Sequence, residues 1–378
     1  VQRCFGVEPL VVVGIGLRWC GKVPLRAGPG VAHFSGGQGR DRLRQHDGRG
    51  AEHFPLLQRF PLLSALQPIP LCSLPTPVEP FPGKTTLWIK RDDLTREDQG
   101  GNKPRKLEFV LADIRRRGAD RVITLGATGT NAGVATALLC QRENLTCEVI
   151  TFPQPDSDIV RLNQQLMRSA GATLTARSSL FAAALNWYLH PRRLDRKSYF
   201  LYAGCSAPVA TFAYVNAMLE LAGQIASGAI PSPAHIVVAA GSGATVAGII
   251  AGAALVLPDT EIHAVQVAPD KVGPFTACHP QVVEKMVAKV WLSLRAADAS
   301  LPRQCPTRWR WHAEQFGDGY GVATAASRAA ISAAGKSGLA LETTYSGKAF
   351  ATALALTEQH RDPVLFWQTF ARGKIPQT

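Results

Sequence analysis

No two cysteines of this chain are spaced as CxxC, and its eight thiols are scattered over 378 residues. That pattern argues against a disulfide framework and a structural zinc site, so no metal is expected, and for a reducing, cytoplasmic setting. Acidic residues are sparse, 28 against 41 lysines and arginines, so the formal net charge is +13. The basic residues are dispersed, however, with only short clusters at HPRRLDRK (190–197) and TRWRWH (307–312). A solvated basic surface is therefore favoured over a nucleic-acid groove. The sequence has no repeat of fixed period, which speaks against a solenoid. Only 18% of residues are charged while 46% are hydrophobic, enough apolar side chain for a globular protein of two domains.

Two apolar runs invite other readings. HIVVAAGSGATVAGIIAGAALVLP (235–258) is long enough for a membrane span, but its β-branched first part, GSGAT centre and Ala/Gly/Ile-rich end read as a strand, a turn and a buried helix. No membrane partner is expected. PLVVVGIGL (9–17) has the length of a signal-peptide core, yet Glu8 precedes it, Arg18 follows it and no small-residue cleavage site is evident. Residues 1–52 are rich in glycine and arginine without a sustained period, and a poorly ordered arm is expected there.

From Phe54 onward short apolar strands alternate with helical patterns. LWIKR, RVITLG, CEVITF, ATLTA, YFLYAG, IVVAA and IHAVQV are separated by amphipathic stretches, one of them a long helix over 207–228. This alternation predicts an α/β fold of parallel sheets covered by helices on both faces. In such sheets ligands bind beyond the carboxyl ends of the strands, so the loops at those ends are the ones to read for chemistry.

The first is GSGATVAG, directly after IVVAA. Gly241 and Gly243 let backbone N–H groups approach an anion, Ser242 and Thr245 add hydroxyls, and the helix that follows contributes its positive end. A dinucleotide fingerprint fits less well than a single phosphate, because the third glycine comes late and Glu261 precedes the next strand. AAGKS (333–337) imitates a nucleotide loop, but Ala330 stands where its first glycine belongs and the pattern there is helical. The second loop is LGATGTNAG (125–133), where Thr130 or Asn131 is either a helix cap or a ligand contact. The third combines GDGYG (317–321) with YSGK (345–348), whose tyrosines serve packing or a site.

GGNKPRK (100–106) completes the set. Pro104 and the apolar spacing of Leu107, Val110, Leu111 and Ile114 place Lys103 at a helix N-terminus, among positive charges. A lysine there, or one taken out of water, gives up its proton more easily and becomes a nucleophile toward aldehydes. An activated amine plus a single-phosphate cradle is the requirement of pyridoxal 5′-phosphate.

KRDDLT, GGNKPRKLEFVLAD, LMRSAGATL, ELAGQ with IVVAAGSGATVAG, GDGYG and TTYSGKAF, in this order, resemble the pyridoxal-phosphate enzymes of the aminocyclopropane-carboxylate deaminase and D-cysteine desulfhydrase family, over about residues 54–368. The resemblance implies a tryptophan-synthase-β-like fold (fold type II) of two αβα domains. The larger would comprise 53–106 with 214–378 and the smaller, inserted one 107–213. It implies a homodimer acting on a small amino acid, D-cysteine or a relative.

By position, Lys103 then corresponds to the lysine that binds the cofactor and carries the proton, and Lys106 lies near the phosphate. The cradle comprises Gly241, Ser242, Gly243, Ala244 and Thr245. The resemblance further implies that Asn131 bonds the ring oxygen, Thr130 faces the substrate, Tyr320 and Tyr345 are the active-site tyrosines, and Ser346 faces the pyridine nitrogen. A hydroxyl residue at 346, where the deaminases have glutamate, favours β-elimination to pyruvate, ammonia and sulfide. Ring opening of 1-aminocyclopropane-1-carboxylate and a catalytically silent relative are the alternatives. Ala132, where a polar residue is expected, and LFWQTFARG, which lacks the usual histidine and double glycine, depart from the pattern.

Overall fold

The computed structural model describes residues 53–98 and 100–371. The expected N-terminal arm and PLVVVGIGL therefore lie outside the described residues.

The elements follow one another as α1 (Pro55–Arg59), β1 (Val78–Pro80), β2 (Leu87–Arg91), α2 (Asn102–Arg117), β3 (Arg121–Ala127), α3 (Asn131–Arg142), β4 (Thr146–Phe152), α4 (Asp158–Ser169), β5 (Thr173–Ala176), α5 (Leu180–Tyr188), β6 (Ser198–Leu201) and α6 (Phe212–Ala226). The second half adds β7 (His235–Ala240), α7 (Ala244–Val256), β8 (Glu261–Gln266), β9 (Lys271–Val272), β10 (Phe275–Thr276), α8 (Pro280–Ala297), β11 (Trp309–His312), α9 (Ala325–Lys336), α10 (Ser346–Gln359) and β12 (Val364–Gln368). The apolar run at 235–258 is strand, turn and helix, as its composition predicts, and among the described residues no helix is long and apolar enough to cross a membrane. The helix expected over 207–228 is shorter: Pro208–Thr211 forms a 3-10 turn and the α-helix begins at Phe212. Proline suits a first turn, where its missing N–H is not needed.

Two sheets result. A six-stranded sheet runs β1-β2-β12-β7-β8-β11, parallel except for the β1–β2 pair, and a four-stranded parallel sheet runs β5-β4-β3-β6. Their central strands are buried on both faces. Along β7, Ile236, Val238 and Ala240 face one apolar cluster, and Val237 and Ala239 another. In β12, Leu365 and Trp367 join the first, Val364 and Phe366 the second. This is why these strands read as unbroken apolar runs.

Helix α2 connects the sheets. Leu107, Val110, Leu111 and Ile114 pack into the core of the smaller sheet, while Phe109 on another face joins that of the larger one. The helix stops at Gly118, whose left-handed φ of 62° lets its N–H reach the carbonyls of Arg115 and Ile114.

Candidate active site

The carboxyl ends of the parallel strands of both sheets open into one cavity of about 630 Å³. Lys103, Lys106, Thr130, Asn131, Gly241, Ser242, Gly243, Thr245, Tyr320 and Tyr345 all line it. They come from stretches more than 240 positions apart, and the topology alone assembles them. Ala244 and Ser346 are not on the lining. Ala244 is the buried first residue of α7, and the Ser346 hydroxyl turns to Glu342, donating to its Oε1 at 3.2 Å and accepting from its backbone N–H at 2.9 Å.

Lys103 occupies the first turn of α2, behind Gly101, whose φ is 89°. Its Nζ donates to the Asn102 side-chain oxygen at 2.5 Å. Removal from water holds its ammonium below the usual lysine range, opposed by Cys205 and Glu342. Desolvation is thus the leading cause of the shift, and the neighbouring Arg105 is not part of it. Arg105 points away from the cavity into a buried cluster, where Asp92 and Glu220 take its guanidinium at 2.8 Å each. Lys106 is 2% exposed, and burial followed by repulsion from Lys103 pushes it down to about 7. Its Nζ donates to the Gly204 carbonyl at 2.8 Å.

The turn after β7 leaves the start of α7 open toward the cavity. Gly243 precedes α7 with φ 88°, a left-handed conformation that strains other residues, and no side chain caps the helix start. Gly241, Ser242, Gly243 and Thr245 line the cavity at this helix start, where the dipole favours negative charge. Ser242 shares a hydrogen bond with Ser206 at 2.7 Å, and Thr245 accepts from Asn102 Nδ2 at 3.1 Å.

Beyond the end of β3, Thr130 is the helix cap: its Oγ1 accepts from Gly133 N–H at 3.3 Å, and the residue also lines the cavity. Asn131 is oriented from α4. Asn163 Nδ2 donates to Asn131 Oδ1 at 2.8 Å and to the Gly129 carbonyl at 2.8 Å. With its oxygen occupied, Asn131 presents its NH₂ as a donor. Tyr320 and Tyr345 meet hydroxyl to hydroxyl at 2.6 Å, and burial raises both phenols, Tyr320 to about 12, so both stay protonated at neutral pH.

Several contributors carry no strong sequence signal. Glu342 lines the cavity and holds Tyr345 in place, accepting backbone N–H bonds from Thr344, Tyr345 and Ser346 at 2.6, 2.8 and 2.7 Å. An acidic residue just before a helix start is the hint. Asn102 and Asn163 act through side chains far away in sequence, and Gln281, Lys285, Met286 and Lys289 of α8 form a further wall. Ala132, the departure noted above, does line the cavity.

Two layered parallel sheets whose loops bring a desolvated amine to an anion-binding helix start make this a tryptophan-synthase-β-like α/β enzyme fold. Residues 63–368 match the family model described as pyridoxal-phosphate dependent enzyme, and the chain belongs to that family.

The chain is 31% identical over 299 residues to a Pyrococcus horikoshii protein provisionally named 1-aminocyclopropane-1-carboxylate deaminase, covering 77% of this chain and 87% of that one. It is 30% identical over 333 residues to a D-cysteine desulfhydrase of Salmonella choleraesuis, covering 83% and 94%. Among solved structures, an ACC deaminase homologue superposes with a TM-score of 0.66 at 26% identity, over 82% of this chain and 94% of that one. Threonine deaminase isoform 2 from Solanum lycopersicum shares the fold, with a TM-score of 0.58 at 15% identity, covering 85% and 90%.

The residues present fit pyridoxal phosphate. A primary amine with disfavoured charge suits its aldehyde, the uncapped glycine turn its phosphate, and the oriented Asn131 amide its ring oxygen.

Proposed function

We propose that this chain is a pyridoxal-phosphate lyase that removes the β-substituent of a small amino acid, with D-cysteine the favoured substrate. D-cysteine and water would give pyruvate, ammonia and hydrogen sulfide. The observation that carries the choice is that position 346, at the start of α10, holds no carboxylate: the serine there is buried and its hydroxyl is taken up by Glu342. The nearby carboxylate of Glu342 is occupied as an acceptor of the helix-start amides.

When bound, the cofactor supplies an electron sink for negative charge next to the amino group. In this reading the turn at Gly241–Thr245 and Lys106 hold the phosphate, and Asn131 donates to the ring oxygen. Lys103 Nζ takes the α-proton, a role its desolvated amine suits. The carbon–sulfur bond breaks with its electron pair leaving on sulfur, and the protonated pair Tyr320 and Tyr345 supplies a hydrogen-bond donor beside it. Thr130 contacts the substrate. In this reading the chain divides into two αβα domains, 53–106 with 214–378 and 107–213, and works as a homodimer in the cytoplasm.

Purified protein supplied with cofactor is incubated with D-cysteine, L-cysteine and 1-aminocyclopropane-1-carboxylate. The expected result is a yellow protein that releases pyruvate and sulfide from D-cysteine. Release of 2-oxobutyrate alone would favour ring opening, no turnover on any amino acid would favour a silent binding protein, and a colourless protein would overturn the cofactor assignment.

A further inference from the structure

At the end of the six-stranded sheet opposite the cavity, four imidazoles (His235, His263, His312 and His360), the carboxylates of Glu261 and Glu314 and the Arg310 guanidinium gather. His235 opens β7 and is the cross-strand partner of Glu261, while His263 lies two residues further along β8. Side-chain alternation places all three on one face of the sheet. His235 Nδ1 and His263 Nε2 stand 3.0 Å apart, His263 Nε2 and Glu261 Oε2 3.3 Å, and His235 Nδ1 and Glu261 Oε2 3.9 Å. With bonds of about 2.0–2.1 Å, a tetrahedral zinc ion sets its ligand atoms about 3.3 Å apart. The observed triangle brackets that spacing.

Proton positions point the same way. His312 Nδ1 lies 2.9 Å from Glu314 Oε1, and His312 Nε2 lies 2.9 Å from His263 Nδ1. A carboxylate has no hydrogen to give, so His312 carries one on Nδ1 and, when neutral, accepts on Nε2. The hydrogen between the two rings then belongs to His263 Nδ1. That leaves a lone pair on His263 Nε2, 3.3 Å from a Glu261 oxygen that is also an acceptor. Arg310 donates to the other oxygen of Glu261 at 3.4 Å; of the two acceptors that face each other, a hydrogen from His235 would answer one, whereas a metal ion between them answers both. An imidazole oriented through its other nitrogen by a relay to a carboxylate is also how metal-binding histidines are commonly held.

We infer that His235, Glu261 and His263 bind a divalent transition-metal ion of the zinc type, with the fourth position open to water. The scattered cysteines speak against a thiolate site, whereas imidazole and carboxylate are ligands such an ion accepts. Entry is available, since the His235 and Glu261 side chains are 12% and 25% exposed. β7 runs from here to Gly241, about 20 Å away at the rise of an extended strand, so the ion sits apart from the cofactor cleft. It clamps β7 to β8 at their first residues and does not depend on the lyase reading.

The test is a calorimetric titration of the full-length, cofactor-loaded protein with zinc chloride in a non-coordinating buffer. One equivalent is expected to bind, with affinity at least about 100-fold weaker in the double variant His235→Asn/Glu261→Gln, and about 10–100-fold weaker in His312→Ala. Cys278→Ser, which alters a buried thiol at the other end of β7 that donates to the Ala240 carbonyl at 3.0 Å, should leave zinc affinity unchanged. Cofactor absorbance reports that each variant is folded. Equal affinity in wild type and the double variant overturns the site. Should the double variant misfold, Glu261→Gln alone replaces it; this removes the carboxylate ligand from a side chain 25% exposed, an affinity loss of about 10–100-fold is again expected, and no loss overturns the assignment.

Discussion

Asn102 joins Lys103 to Thr245: its oxygen accepts from the lysine Nζ at 2.5 Å while its nitrogen donates to the threonine hydroxyl at 3.1 Å, across 143 positions of sequence. One amide therefore ties the start of α2 to the start of α7. It fixes the distance between the amine and the anion cradle without belonging to either. Asn102→Ala is expected to weaken pyridoxal phosphate by about 10-fold, the order of one hydrogen bond to a charged group. Asn102→Asp keeps the acceptor for Lys103 and removes the donor to Thr245. Cofactor titration by visible absorbance distinguishes them, and wild-type affinity in both would remove Asn102 from this role.

Lys106 gives the apoprotein a pH signature. Its ammonium is pushed from 10.5 down to about 7 in the fold, so between those values the unfolded chain binds a proton there that the folded chain does not. Stability must then rise with pH across that window and level off below about 7, where both states are protonated. Lys103, shifted in the same direction, adds to the rise. Urea midpoints of the cofactor-free protein at pH 7 and 9 should show the increase, and Lys106→Met should show a smaller one. An equal increase in the variant would mean the proton is not lost at this residue.

The two tyrosines should separate chemistry from packing. Because Tyr320 and Tyr345 are neutral donors 2.6 Å apart, Tyr345→Phe deletes one hydroxyl from a buried pair and little volume. On the proposed reaction kcat falls by about 10²–10⁴-fold, the usual range for loss of a positioned acid–base group. KM and the melting temperature change little. A purely structural tyrosine would lower the melting temperature and leave kcat near wild type.

How much of this was legible in the sequence depends on whether the signal is local. Pro104 and the spacing of Leu107, Val110, Leu111 and Ile114 put Lys103 at a helix start, and the structure agrees. The glycine turn after β7 could be read the same way, since strand, turn and helix are contiguous. Arg105 could not. Its partner Glu220 lies 115 positions away, so nothing local told that its charge is spent inside the core and that desolvation governs Lys103. Asn163 is an ordinary polar position of α4 until the fold lays it beside Asn131. The EIH triplet of β8 acquires a partner in His235 only through the register of two parallel strands, which no spacing within either strand encodes.

The cluster behind Lys103 yields the remaining prediction. Asp92 is fully buried and accepts from Arg105, from Thr76 Oγ1 at 3.0 Å, and from Tyr214 and Trp367 at 2.8 Å each. Glu220 completes the set by taking Arg105 and Lys90. Two cations face two carboxylates, so the cluster is balanced. Burial lowers Lys90, whereas the ion pairs hold Glu220 down at about 2. Asp92→Asn breaks the balance and leaves excess positive charge out of water, with an expected loss of about 3–5 kcal/mol. Removing Arg105 as well, in Asp92→Asn/Arg105→Met, takes away the charge left over, so the double variant should recover part of that loss. Urea denaturation of the two variants measures the coupling. If the double variant is instead less stable by the sum of the single losses, Asp92 and Arg105 act independently, and Asp92 matters for the hydrogen bonds of Tyr214 and Trp367 rather than for charge.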